Sequence, residues 1–586
     1  MRLYPELVNK HPYNASYRND LAAVCYNIGI QYQASRQLQE AVAAYREAIT
    51  LREKLAADFP TSPDYLHKLG GVLNNLANVL AAQGQFALAG RALEEAIRRQ
   101  QAAVKLNPRH PDYRVFLRNH YHNLGDTLEQ RKLYEGAAKA FAEAIVLAEK
   151  LAAEFPGEPS HQTTLANHWD RLFRVHAQAG QVPAALAACR KCSVVWAKLA
   201  GDHAAVVRYR EELATTLFNL GLLQVRAGDP REGAASMRRA VATQEKVIDD
   251  QVRTADGASW ISPRQTLVTF LTRLAVLQVK ASPKEAEKLF RRAVAVQEQL
   301  VGRGPSAPDG TAARHELGAC LYRLGVFLME TRRPAAAEKT CRQALEVQRK
   351  LVAEHPREPD YRRACANTLN FLSVLLSRQD RIDDAELLLR QAIKHQQRLV
   401  ADFPDRPDYE SELGVKLSNL AILWRDRRKA PDRARPLIEE AIRHQRAALK
   451  RQPKQPAYQD RLADHYGCLA DILVKLGQHA AAAQAAEGLA AVFPKDFRDC
   501  YGAACYLAMC ATLVEKDGKL SPEKRKELAQ TYGKRGVQLL REAMKRGYRA
   551  INQLKKDPEL NPLRARADFG QLVRELEEKV RAKGRE

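Results

Sequence analysis

The sequence predicts an all-α fold, a right-handed αα superhelix of about ten to eleven helical hairpins. Three observations carry it. A proline motif recurs at a fixed interval of 48 residues, at Pro12, Pro60, Pro108 and Pro156, and Tyr17, Tyr65, Tyr113, His161 and Tyr209 keep the same interval. Each interval holds two apolar stripes of helical period. A turn residue separates the stripes and a proline closes the second.

The unit from Thr61 to Pro108 shows why each piece is helical. Tyr65, Leu69, Leu73, Leu76 and Leu80 form one stripe, and Phe86, Ala89, Leu93, Ala96, Ile97 and Val104 form another. Pro63 and Asp64 suit the first turn, where a missing N–H costs nothing and a carboxylate meets the positive end of the helix dipole. Gly84 tolerates positive φ and ends the first helix. Pro108 cannot continue the second. A lone pair of this kind cannot bury its stripes, so units must stack, with contacts mostly between neighbours.

After two slightly longer units the pattern returns at Tyr361, Tyr409 and Tyr458, with Pro356, Pro404 and Pro453 beside them. The resulting division is 1–12, the tail of an incomplete unit; 13–494, a ten-unit array; and 495–586, a last helical pair, Cys500–Val514 with Glu523–Arg546, and closing helices. The unit ending at Pro494 follows Pro453 by 41 residues, which predicts a second helix shorter by two turns. The start, around Leu3, Leu7 and Val8, matches the end of a second helix, so an exposed apolar end or upstream sequence is expected.

Leu73, Leu76, Ala77 and Leu80 followed by Gly84, Phe86, Ala89, Leu93 and Ala96 resemble the tetratricopeptide repeat. The match recurs at Leu124, Gly125, Tyr134, Ala137, Phe141 and Ala144, and at Leu220, Gly221, Gly228, Met237 and Ala240. The departure is length, 48 residues here against about 34 in the standard unit. Long pairs of this kind resemble the repeats that follow the catalytic domain of planctomycete serine/threonine kinases, and Asp557–Lys579 is similar to the terminal cap of those arrays. The resemblance implies a scaffold that holds a protein or peptide on the inner face of its first helices, and a start without an apolar segment after its basic residue makes the cytoplasm the expected compartment. It also implies an alternative, the regulatory half of a kinase.

Composition agrees with a folded, soluble chain: 46 % hydrophobic, with Gly (30) and Pro (27) near average usage. The longest apolar runs, such as Phe371–Leu376, are too short for a membrane span. The excess of 93 Lys+Arg over 69 Asp+Glu, +24, admits a nucleic-acid-binding solenoid as a third reading. That charge is spread along the chain, and the inner positions recur as Asn with few aromatics for stacking. No phosphate-binding or nucleophile-elbow string occurs, and the lone Asp568-Phe569-Gly570 has no catalytic loop before it. The chain is therefore expected to be no enzyme, with no cofactor, metal or small-molecule substrate. Cys189 and Cys192 form a single C-x-x-C, but both fall on core positions equivalent to Leu93 and Ala96, so packing explains them.

Two polar ladders remain. Gln100, Gln244, Gln297, Gln348, Gln396 and Gln445 occupy one position of the second helix and are expected to bond across seams. Asn27, Asn75, Asn123, Asn219 and Asn419 occupy one position of the first helix, the face that lines the groove in the resembled family. Arg171, Arg273 and Arg323 fill the same position elsewhere. An amide can pair with both groups of an extended backbone. Asn78, Asn123 and Arg171 further resemble a carboxylate clamp, although Asn74 and Asn167 stand where the clamp has lysines. The candidate groove is thus Asn27, Asn75, Asn78, Asn123, Arg171, Asn219 and Asn419, with Asn75, Asn78, Asn123 and Arg171 expected to be exposed together.

Overall fold

A computed structural model describes residues 3–254, 261–302, 310–492 and 497–583, and among these there are helices and turns but no strand. The chain divides into two compact units, Met1–Val296 and Gln297–Glu586. In the first, α1 (Leu3–Lys10) precedes the pairs α2 (Ala15–Ala34) with α3 (Leu38–Asp58), α4 (Pro63–Ala82) with α5 (Phe86–Leu106), and α6 (Pro111–Gln130) with α7 (Tyr134–Glu154). The pairs α8 (Pro159–Gln178) with α9 (Val182–Asp202) and α10 (Val207–Arg226) with α11 (Pro230–Thr254) follow, then α12 (Ile261–Gln278) and most of α13 (Pro283–Val301), whose last turn belongs to the second unit. In the second unit come α14 (Gly310–Glu330) with α15 (Pro334–Glu354), α16 (Pro359–Arg378) with α17 (Ile382–Asp402), and α18 (Pro407–Ile422) with α19 (Pro431–Arg451). They are followed by α20 (Pro456–Lys475) with α21 (His479–Val492), and α22 (Phe497–Glu515) with α23 (Pro522–Lys545). Short helices α24 (Ile551–Lys556) and α25 (Asn561–Arg564) then lead to α26 (Ala567–Lys583).

Within each unit the two helices of a pair pack together, and each second helix packs on the next first helix. Some first helices also touch the next first helix directly, as α4 does α6 and α18 does α20. The stripes read from the sequence form the core: Leu69, Leu73, Leu76, Leu80, Ala89, Leu93 and Ala96 are all buried. Small residues set the spacing. A Cβ on Gly70 would come within 3.2 Å of the Ala96 carbonyl and of Gln100 Oε1. Cys189 and Cys192 are fully buried, the former's thiol pushed up to about 12 by burial, so both pack as small apolar side chains.

Nine hairpin turns, all but those of α12–α13 and α22–α23, use one left-handed residue. Gly84, Gly180, Gly228 and Gly477 take φ of 70° to 91°, and Arg36, Lys132, Arg332, Asp380 and Lys429 take φ of 54° to 66°. The next residue's N–H then reaches back six to one, as Gln85 does to the Leu80 carbonyl at 2.8 Å and Leu133 to that of Leu128 at 2.9 Å. The unit from Tyr409 to Tyr458 is one residue longer than its predecessor, and a π-turn at Leu423–Arg427 absorbs the extra residue.

The seams carry two regular polar devices. Gln100, Gln396 and Gln445 are fully buried and donate to the carbonyls of Tyr113, Tyr409 and Tyr458 at 2.9–3.0 Å, each in the next first helix. Gln244 and Gln297 do the same to Pro263 and Ala313 at 3.0 and 2.9 Å. In the second device an arginine of a first helix meets a carboxylate 40 residues on: Arg18–Asp58, Arg114–Glu154, Arg210–Asp250 and Arg314–Glu354, at 2.5–2.8 Å. Each pair ties the start of a first helix to the end of its own second helix.

α21 has 14 residues where the second helices of the 48-residue units, such as α5 and α17, have 21, the two-turn loss that the spacing predicts, while Pro494 itself lies outside the described residues. The last helical pair is present as α22 and α23. Phe569 is buried in α26 and Asp568 pairs with Arg566 at 2.9 Å, so that string is part of the packing. At the other end Val8 packs against the first core cluster, and the side chain of Leu3 lies outside the described ones.

Candidate functional site

Counted from the aromatic residue that opens each first helix, the asparagine ladder stands ten positions on. A polar group there faces the preceding first helix as much as the groove. Asn75 donates to the Tyr26 hydroxyl at 3.0 Å, Asn123 to Asn74 Oδ1 at 2.8 Å, and Asn419 to Asn370 Oδ1 at 2.9 Å, each 49 residues back. All three are half-buried. Arg171, longer than Asn, reaches one turn further and binds Asp126 at 2.5 Å and Glu129 at 2.7 Å while lying over the Phe141 ring.

This corrects the expectation of four exposed side chains. Asn75, Asn123 and Arg171 hold seams between consecutive units, and only Asn78 is exposed. The carboxylate clamp does not fit either, because the Arg171 guanidinium is already matched by two carboxylates and Asn74 by Asn123. Asn27 is exposed and Asn219 half-buried, and neither has a side-chain hydrogen bond among the described residues. Both therefore remain available to a ligand, as Asn78 does.

The sequence reading missed a neighbouring row, seven positions from the opening aromatic. It holds buried polar groups: His120, His168, Thr216, Thr368, Lys416 and His465. Burial pushes His120 and His168 down to about 3 and Lys416 down to about 8. His120 Nδ1 meets Asn74 Oδ1 at 3.1 Å, and Lys416 Nζ donates to Asn367 Oδ1 at 2.9 Å. The available signal was a recurring polar residue inside an apolar stripe.

Three cavities open along the first helices of the second unit. One of about 400 Å3 lies between α14 and α16, with Tyr322, Arg323, Arg363 and Asn367 on its wall. A second, about 250 Å3, lies between α16 and α18, and a third, about 700 Å3, among α18, α20 and α22. Asn419 and Ile422 line both of the latter two, so these are stretches of one track. Cys505, Asp557 and Glu559 bring possible metal ligands together, but Tyr501 donates to Asp557 at 2.6 Å, and Asp557 accepts from the Glu559 N–H at 3.0 Å. Ordinary packing and capping thus account for them. No described helix is long and apolar enough to cross a membrane.

The tetratricopeptide-repeat family model matches residues 21–61, 70–112, 317–357 and 365–407. No curated protein sequence matches the chain. Among solved structures the chain is similar to BtubC of P. vanneervenii, with 20 % identity over 44 % of this chain and 90 % of that one and a TM-score of 0.33. It is similar to yeast Tom70 at 13 % identity, covering 92 % and 98 %, with a TM-score of 0.30. For PilF of Pseudomonas aeruginosa the identity is 17 %, the coverage 48 % and 97 %, and the TM-score 0.28. Both compact units of this chain carry tetratricopeptide repeats, in a lengthened form.

Proposed function

We propose that the chain is a non-catalytic, cytoplasmic scaffold that binds another protein, holding an extended segment of it along the inner row of first helices. The observation that carries this reading is the run of cavities on that row in the second unit, two of them sharing Asn419 and Ile422. A helical repeat leaves each first helix packed on its sides and bare toward the inside, so a ligand there touches several units at once. In the first unit Asn27, Asn78 and Asn219 offer amides to a backbone on the same row.

The buried thiols and imidazoles suit packing better than chemistry. Burial keeps Cys341 protonated, its thiol pushed up to about 12, and a thiol in that state is a poor nucleophile. The resemblance of Asp557–Lys579 to the cap of kinase-associated arrays supports a narrower version, in which the scaffold is the sensing part of a serine/threonine kinase.

Site-specific photo-crosslinking in the native host tests the scaffold. A photoreactive residue at Ile422 or Asn78 is expected to capture a protein partner, and one at Val194, exposed on second helix α9, is not. Equal capture from the two rows overturns the groove.

A further inference from the structure

We infer that the cavity between α16 and α18 receives an apolar side chain of the extended segment, and that an acidic residue beside it in that segment meets Arg378. The inference rests on the scaffold reading and adds the chemistry of the partner. Thirteen positions on from their opening residues (in α14 this is Ala313, whose carbonyl accepts from Gln297), the first helices of the second unit carry Val326, Val374 and Ile422, then Asp471. The packing does not require an apolar residue there, because Asn78, Asp126 and Arg174 hold the same position in the first unit. Ile422 is nonetheless 37 % exposed, and Val326 and Val374 are only half-buried. One turn back on α16 the asparagine ladder is interrupted by Phe371, also half-buried, whose ring meets that of Tyr322 at 5.7 Å. Apolar surface thus recurs on three consecutive first helices at a position where the repeat itself has no need of it.

Val374 and Ile422 both line the cavity of about 250 Å3, with Leu389 and Leu423 beside them. The polar side chains on its wall are engaged elsewhere. Ser373 donates to the Asn370 carbonyl at 2.6 Å and Asn419 to Asn370 Oδ1 at 2.9 Å. Asp426 pairs with Arg425 at 2.7 Å, and Arg427 with Asp380 at 2.7 Å. None of the residues described on this wall has a buried polar atom without a partner, whereas Thr368 and His465 have one in the two neighbouring cavities. A polar occupant would therefore lose its water and find no new partner, while an apolar one gains by burial. The charge left over is Arg378, which lines the cavity, is exposed and has no carboxylate partner among the described residues. An acidic neighbour of the apolar side chain supplies that partner. The π-turn Leu423–Arg427 contributes Leu423, Asp426 and Arg427 to the same wall. Such turns gather at functional sites, and here the one extra residue of the unit falls beside the cavity.

The test is selection of a random nonapeptide phage library on the full chain, then titration of the enriched peptides, synthesised and labelled, against variants. Ile422→Asn installs the residue that Asn78 already carries at this position, so the fold should hold, and Ile422→Val keeps the wall apolar. Arg378→Gln removes the unpaired charge. The enriched peptides are expected to share an aliphatic or aromatic residue with an Asp or Glu near it. Ile422→Asn should weaken them by about tenfold or more, and Ile422→Val by about fourfold at most. Arg378→Gln should weaken them by about two- to fivefold, a loss that shrinks at high salt. Helix content by circular dichroism stays unchanged in all three. Peptides that enrich but are indifferent to Ile422→Asn overturn the apolar pocket, and their capture by a photoreactive residue at Asn78 keeps the groove standing. Indifference to Arg378→Gln overturns the acidic neighbour. No enrichment over a bare surface overturns the groove reading and the pocket with it.

Discussion

Replacing the seam glutamines by methionine, a side chain of similar size without the amide, gives a graded series whose order the hydrogen bonds fix. Gln445 makes two bonds: it donates to the Tyr458 carbonyl at 3.0 Å and accepts from Ser411 Oγ at 2.9 Å. At about 0.5–1.5 kcal/mol per bond, Gln445→Met should cost about 1–3 kcal/mol. Gln100 also makes two, to Tyr113 O at 2.9 Å and with His67 Nδ1 at 3.2 Å. His67 is only half-buried, so water can replace that bond, and the cost should fall near 1 kcal/mol. Gln396 donates once, to Tyr409 O at 3.0 Å, and its Oε1 is buried with no partner. Removing the amide loses about 1 kcal/mol but also removes an unsatisfied acceptor that costs about 1–3 kcal/mol, so Gln396→Met should be neutral or slightly stabilising. A repeat stack opens piecemeal, so the readout is native-state hydrogen exchange in the helices flanking each seam, not a single melting point. Equal losses of protection at Gln396 and Gln445 would refute the reasoning, since bond count would then have no bearing on the seam.

Three further outcomes are expected. Arg52 occupies the glutamine position in the first full unit, is buried, and has no partner for Nε or Nη1, so Arg52→Gln should raise local stability by about 1–3 kcal/mol, read by hydrogen exchange in α3 and α4. Lys132 sits at φ 58°, where a side chain costs about 1 kcal/mol, so Lys132→Gly should stabilise and Gly84→Ala destabilise by about that amount, seen in urea titrations. His168, pushed down to about 3, binds its proton more weakly folded than unfolded. Its contribution to stability is therefore complete above pH ~6.5 and is lost as pH falls, by about 1.4 kcal/mol per pH unit. His168→Thr, borrowing the residue at Thr216 and Thr368, should flatten the decline in melting temperature between neutral and acid pH.

Much of the fold was legible because one rule repeats. The 48-residue interval, the two stripes, the left-handed turn at Gly84 and the shortened α21 all follow from local chemistry that the chain states many times. The π-turn at Leu423–Arg427 was foreshadowed by a single extra residue between Tyr409 and Tyr458. The seam glutamines were legible for the same reason. The groove was not, because a helical stripe tells which side a residue faces and not whether the next helix covers it. Asn123 and Asn78 look alike on their stripes, yet Asn74 covers one and the other is exposed. The missing signal lies in pairs across units: Asn74 with Asn123, Asn370 with Asn419, and Tyr26 with Asn75, all 49 residues apart. The arginine–carboxylate ties were equally readable as opposite charges recurring 40 residues apart, as in Arg114 and Glu154.

The same spacing gives the proposed scaffold a place to bind, where the array fails to close on itself. A buried polar group at the seventh position must find a partner or leave a costly vacancy, and the neighbouring first helix decides which. Asn74 meets His120 and Asn367 meets Lys416, so those seams are sealed from within. Ser418 does not reach His465, and there a cavity of about 700 Å3 opens beside an imidazole with no hydrogen-bond partner. A sequence that is locally consistent nearly everywhere departs from its own rule at that point, and such departures concentrate at sites of function. On this argument, residues that vary between repeats are better guides to the ligand than those that recur. The recurring asparagines join the repeats to one another, and on the proposed scaffold a partner is expected where one of them is replaced.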